Sequence, residues 1–409
     1  MKTTASDLEK PAGTGIGHPL LEVFLAFLRL GLTSFGGPIA HLGYYRDAFV
    51  TRRQWLGEKA YADLVALCQF LPGPASSQIG MALGLHRAGL LGAVAAWLAF
   101  TLPSALALMA FAYGIAAHPQ WADAGWVHGL KLAAVAVVAQ AVWGMGRTLC
   151  PDRARATLAL AVAFAVLAFP GAAVQVLAII AGGLIGWRFL PLADHEPHRP
   201  MGFPVSRRLG FVLLAVFFLL LIGLPVLAAA LADPTLEAFA AFYRAGSLVF
   251  GGGHVMLPLL RAEVVPTGWV SDADFLAGYG AAQAVPGPLF TFAAYLGVVM
   301  KGPLGGWAGG LLYLVALFLP AFLLIVGVLP FWEQVRRHKA VAAAFNGVNA
   351  AVVGLLLAAL YDPIWTDTVR GHGDFILAAG GFAALNFWKV PPLAVVAGTA
   401  LGGALQALW

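Results

Sequence analysis

Arg29 and Arg244 are cations set in apolar sequence, each seven residues ahead of a glycine pair, Gly36-Gly37 and Gly251-Gly252. A guanidinium at membrane depth costs at least about 2.5–3.5 kcal/mol, so it usually faces a partner or a wet cavity. Its rigid fork suits a tetrahedral or planar oxyanion, and two of them would offset a dianion's charge. The glycine pairs open the stretches FGGPIAHLG (35–43) and FGGGHVMLP (250–258), and farther on stand LPGPASS (71–77) and VPGPLFT (285–291). Pro38, Pro74 and Pro288 read as points where the chain breaks and a new half-helix begins, since proline is favoured in a first helical turn. Free N–H groups at such a start, together with the helix dipole, form an anion site. The candidate anion-binding set is Arg29, Arg244, Ser34, Gly36, Gly37, Gly251, Gly252, Gln69, Gly73, Ser76, Ser77, Gln283, Gly287 and Thr291. Two plainer readings stay open. The glycines permit close helix packing, or Arg29 pairs with Glu22 and Arg244 with Glu237, seven residues back on the same helix face. His41 and His254 flank the first breaks and read as local hydrogen-bonders.

Elements that could position these groups follow from composition. Of 409 residues, 61% are hydrophobic and 11% charged, where soluble domains carry about 25% charged residues. The stretches 88–122, 156–187, 209–232, 275–300, 302–332 and 340–361 hold no Asp, Glu, Lys or Arg, and each can house a span of about 20 residues. The chain reads as an all-α polytopic membrane protein, without the alternation a β-barrel needs. No signal peptide is apparent in residues 1–18, a polar tail. Cys68 and Cys150 suggest neither a disulfide framework nor a metal site. No cofactor is expected. The net charge of +5 fits orientation in a bilayer rather than nucleic-acid binding.

The sequence repeats itself. PLLEVFLAFLRLGLTSFGG (19–37) aligns without gaps on PTLEAFAAFYRAGSLVFGG (234–252). QFLPGP (69–74) matches QAVPGP (283–288), Trp55 matches Trp269, Leu102-Pro103 matches Leu319-Pro320, and HGLKLAAV (128–135) resembles NGVNAAVV (346–353). Such collinear order marks an internal duplication. It gives a first repeat at 19–187, a linker at 188–208, a connecting transmembrane helix at 209–232 and a second repeat at 233–409. One unpaired crossing between two even-numbered copies inverts the second, the inverted-repeat plan of many secondary transporters. Arginines near 147–155, 188–208 and 336–339 mark cytoplasmic loops. Loop 43–60 agrees only if the FGG and PGP segments dip in and return, which leaves about nine crossings. Full spans throughout give about thirteen. We expect broken or re-entrant segments. Arg46 and Arg261 also match between copies and fit an anion-collecting surface. Glu22, Glu237 and Asp63 could carry a coupling proton, and Lys131 and Asn349 occupy equivalent places with reach to a cavity.

FGGPIAHLGYYRDAFVTRRQW with LCQFLPGPASSQIG, then FGGGHVMLPLL with YGAAQAVPGPLFTFAAYLG, resemble the chromate ion transporter family in its long, two-domain form. The resemblance covers about residues 19–404. It implies an inner-membrane, multi-pass secondary transporter that expels chromate, a sulfate analogue, from the cytoplasm. Expected partners are chromate or a related oxyanion and the lipid bilayer, with a homodimer as an open assembly state. The departure Pro38 against Gly253 suggests that the halves are not functionally identical. Rival readings are a sulfate or other oxyanion carrier, an importer included, and an anion channel. A membrane-embedded transferase is disfavoured, because neither HExxH nor a phosphate loop occurs, and ADHEPH (193–198) sits in the linker.

Overall fold

The computed structural model describes residues 18–35, 37–118, 124–190, 203, 205–250, 253–301, 305–332 and 339–407, and their regular secondary structure is all helical, without strands among them. The first repeat runs α1 (Pro19–Thr33), α2 (Gly37–Tyr45) with a π segment (Arg46–Arg52), α3 (Glu58–Phe70), α4 (Ala75–Ala117), α5 (Gly125–Leu149), α6 (Arg153–Ala168) and α7 (Ala172–Phe189). After α8 (Arg207–Leu231) come α9 (Pro234–Leu248), α10 (Met256–Val264), α11 (Asp272–Ala282), α12 (Phe292–Val299), α13 (Gly306–Val328), α14 (Lys339–Ala359), α15 (His372–Asn386) and α16 (Pro392–Gln406). Among the described residues, six helices are long and apolar enough to cross a membrane: Ala75–Ala117, Gly125–Leu149, Ala172–Phe189, Arg207–Leu231, Gly306–Phe331 and Ala340–Thr368.

The helices carrying the candidate site are shorter. α1 and α9 have 15 residues each, about 22 Å at 1.5 Å per residue, against a hydrocarbon core of about 30 Å. Pro19 and Pro234 start them in the first helical turn, where a missing N–H is harmless. Both stop at the glycine pair. α4 is two legs rather than one rod: Ala88 (φ −141°) and Gly89 (φ +67°) leave helical geometry. The legs fold back so that Gly84 lies against the backbone of Gly92. In the second repeat α12 and α13 make the same hairpin, with Gly297 against Gly309.

α8 is apolar all round. Gly210, Phe217, Leu224 and Ala228 form its buried stripe, while Phe211, Leu219, Ile222 and Val226 stay exposed, as a lipid-facing helix requires. Tyr243 on α9 donates its hydroxyl to the Phe217 carbonyl at 3.0 Å.

The two repeats trade elements. α5 packs on α15 and α16, and its counterpart α14 packs on α6 and α7. Both crossings are backbone-close. A Cβ on Gly129 would run into the Thr399 carbonyl, and one on Gly347 into the Gly182 carbonyl. His128 on α5 and Asp374 on α15 add a hydrogen bond, Nε2 to Oδ1, at 2.9 Å. Gly347→Val is therefore expected to prevent accumulation of folded protein, since α7 presents backbone there, which cannot rotate aside. Size-exclusion profiles in detergent check this, with exposed Gly144→Val, which meets nothing within 4 Å, as the unaffected comparison.

Candidate functional site

The interruptions sit where the sequence puts its Gly and Pro motifs. After α1 the chain passes Ser34 and resumes at Gly37 with φ +72°. After α3 it turns through Gly73 at φ +120°, and after α11 through Gly287 at φ +98°, values that favour glycine. α4 then begins behind Pro74, and a short 3-10 turn (Leu289–Thr291) behind Pro288. Side chains close these turns locally. Gln78 Nε2 donates to the Pro72 carbonyl at 2.8 Å, and Thr291 Oγ1 to the Pro288 carbonyl at 2.8 Å.

Each proline turn docks on the other repeat's break. The Gly287 N–H donates to the Ser34 carbonyl at 2.9 Å, and the Gly73 N–H donates to the Val249 carbonyl at 2.7 Å. Ser34 and Val249 are equivalent positions in the alignment of the copies, as are Gly73 and Gly287. The last carbonyls of α1 and α9, orphaned by the breaks, are thus satisfied across the molecule. Gly287 also lies against Ser104, and Gly73 against Ala321, another matched pair.

This crossing gathers Ser34, Gly73 and Gly287, with Ser76, Ser77 and Thr291 buried in the turns that follow. Gln69 is exposed and Gln283 half-buried. Gly36, Gly251 and Gly252 lie outside the described residues. His41 donates Nε2 to the Ser34 carbonyl at 3.2 Å, and His254 Nδ1 meets the Tyr279 hydroxyl at 2.7 Å.

The charged residues pair differently from the intrahelical alternatives. Glu22 takes Arg87, from the far end of the first α4 leg, at 2.7 Å. Arg244 grips Glu263 of α10 with two bonds, Nε to Oε1 at 2.8 Å and Nη2 to Oε2 at 2.5 Å. An anion reaching Arg244 must share it with that carboxylate. Arg29 is exposed on α1 and makes no side-chain ion pair among the described residues. Arg46 and Arg261 each close the turn after their helix, onto Glu58 at 2.6 Å and Asp272 at 2.7 Å. Glu237 is exposed, Asp63 is buried, and Lys131 and Asn349 are half-buried. Sequence reasoning missed Glu263 and Arg87. It also missed Ser104 and Thr101, although both stand within two residues of the matched Pro103.

A cavity of about 810 Å³ opens elsewhere, between α5, the π segment Leu360–Trp365 that follows α14, and α15. Val135, Trp143, Arg147, Trp365 and Phe382 are among its lining, and none of the expected site residues is.

A family model described as chromate transporter matches residues 21–187 and 236–404. A chromate transport protein of Pseudomonas aeruginosa is 30% identical, over 90% of this chain and 87% of its own length. A probable chromate transport protein of Synechococcus elongatus is 28% identical, over 91% and 92%. One of Cupriavidus metallidurans, a chromate transport protein, is 26% identical, over 98% and 96%. No solved structure matches the chain significantly.

Proposed function

The chain belongs to the chromate transporter family, and we propose that it carries a divalent tetrahedral oxyanion, chromate first, out of the cytoplasm by alternating access. The observation that carries this reading is the reciprocal pair Gly287 N–H to Ser34 and Gly73 N–H to Val249. Equivalent bonds exchanged between equivalent positions are what a pseudo-two-fold axis between two repeats produces. With one long helix, α8, between the copies, that symmetry supports inverted repeats at 19–187 and 233–409, with the site where their interrupted helices meet. Exchange of α5 and α14 between the halves supports it too.

In this mechanism helix starts at Pro74 and Pro288 and buried hydroxyls hold the anion, and Arg29 and Arg244 neutralise it on approach or in the site. One half then rocks against the other, remaking the two crossing bonds in a second arrangement. Glu22, Glu237 and Asp63 are the carboxylates available to couple a proton. The cytoplasmic membrane of the cell is the place where such an exporter lowers internal oxyanion.

Everted membrane vesicles test this. They are expected to accumulate labelled chromate, saturably and with competition by excess sulfate. Accumulation confined to right-side-out vesicles reverses the direction. Sulfate uptake that chromate fails to inhibit replaces the substrate. Unsaturable flux in liposomes, without counterflow, makes the protein a channel.

A further inference from the structure

Five buried polar atoms around the first repeat's break have no hydrogen-bond partner among the described residues: Ser34 Oγ, His41 Nδ1, Tyr45 Oη, Ser77 Oγ and Thr101 Oγ1. Each belongs to a residue at most 2% exposed. They share one neighbourhood. His41 reaches the Ser34 carbonyl and sets its ring 5.2 Å from that of Phe100, the residue before Thr101. Tyr45 packs its ring 5.5 Å from Phe100, and its hydroxyl lies beside Gly80, one turn beyond Ser77 on α4. Gly287, the second repeat's contribution, approaches Ser34 and the Phe100 carbonyl. His41 spends its Nε2 proton on the Ser34 carbonyl, which leaves Nδ1 an acceptor and the four hydroxyls as donors. Unpaired buried donors are destabilising and uncommon, so four in one place call for a ligand.

The second repeat lacks them at the equivalent positions, its own unpartnered donors among the described residues including Gln283 Nε2, Tyr295 Oη and Tyr313 Oη. At offset 215, Ser34, His41 and Tyr45 become Val249, Met256 and Leu260, and at the offset of the matched prolines Thr101 becomes Phe318. Ser77 becomes Thr291, whose hydroxyl is already spent on the Pro288 carbonyl. The backbone crossing is reciprocal, and the donors at these five positions are one-sided.

We infer that the oxyanion is bound by side chains of the first repeat alone, through the neutral hydroxyls of Ser34, Tyr45, Ser77 and Thr101, with His41 holding the Ser34 carbonyl and the second repeat supplying backbone at Gly287. The inference rests on the transport reading above and gives it a location. Neutral O–H donors in a low-dielectric setting bind a dianion strongly, yet let it leave without separating it from a fixed cation. The arginines then serve the approach path rather than the pocket.

The test is chromate binding to the purified full chain in lipid nanodiscs, by calorimetry, with sulfate and molybdate as further probes. Thr101→Val, Ser77→Ala and Tyr45→Phe each remove one hydroxyl and little volume. Each is expected to weaken chromate binding about tenfold, the effect of one hydrogen bond to a charged group. Melting temperature without chromate should hold or rise. Thr368→Val removes another buried unpaired hydroxyl, in the segment after α14, and should leave affinity within about twofold. Affinity within about twofold in all three pocket variants overturns the inference, leaving the donors to water alone. Wild-type protein that binds none of the three anions overturns the transport reading instead.

Discussion

Gly287→Ala is expected to abolish transport in a protein that still reaches the membrane, and Gly73→Ala to do the same. Gly287 has φ +98° and Gly73 φ +120°, conformations whose adoption costs an L-residue about 1–3 kcal/mol. Space is the second obstacle. A Cβ on Gly287 would lie 2.9 Å from Ser104 Oγ, and one on Gly73 2.9 Å from the Ala321 Cβ. Overpacking of that kind adds about 1–3 kcal/mol. The sum, about 2–6 kcal/mol, is tolerable against a total stability of about 5–15 kcal/mol, so a folded variant remains. The least expensive relaxation rotates the turn, and that rotation withdraws the N–H from Ser34 or Val249. Gly268→Ala provides the comparison, with φ +75° and nothing within 4 Å. It bears the backbone strain without the collision or the crossing. Vesicle uptake and a detergent melting curve, read together, decide the matter. Uptake near the wild-type rate in Gly287→Ala would show that the crossing bond is dispensable.

The breaks were legible in the sequence because glycine and proline carry backbone information in their own covalent structure. FGG, PGP and their duplication pointed to interrupted helices, and the chain is interrupted at those places. The fold-back of α4 at Ala88–Gly89 falls at the edge of the charge-free run 88–122, directly after Arg87, and its counterpart between α12 and α13 falls at Lys301, between the runs 275–300 and 302–332. A lone cation marks both places, but a cation does not by itself say that two legs fold back on each other. Ion pairs were the least legible feature. An intrahelical partner seven residues away is the default guess from one sequence, but Arg244 takes its carboxylate from α10 and Glu22 its guanidinium from the first α4 leg. Such pairings depend on which helices meet, and neither spacing nor composition encodes that. The one-sidedness of the buried donors was half visible. Pro38 against Gly253 already suggested unequal halves, but the contrast of Thr101 with Phe318 matters only once both are known to be buried beside a break.

Arg29→Gln and Arg244→Gln are expected to lower transport alike, by at least about tenfold, and to differ in stability. Arg244 and Glu263 form a two-bond pair, with side chains 31% and 11% exposed. Removing one partner of a fully buried pair costs about 3–5 kcal/mol, because the other charge is left uncompensated. Partial exposure of Arg244 reduces this to about 1–3 kcal/mol, between the buried and surface limits. Arg244→Gln should therefore melt earlier than wild type. Arg29 makes no ion pair among the described residues, so Arg29→Gln should melt with the wild type or above it. The double variant Arg244→Gln/Glu263→Gln separates the two roles of Arg244. Neutralising both partners removes the stranded charge, so the melting temperature should recover. Transport should stay low if the guanidinium meets the anion, since a neutral amide pair cannot offset a dianion's charge. Recovery of transport together with stability would make Arg244 a purely structural cation. Arg29→Lys refines the same question on the other arginine: charge balance alone predicts retained uptake, whereas two-point recognition of an oxyanion by the guanidinium fork predicts its loss.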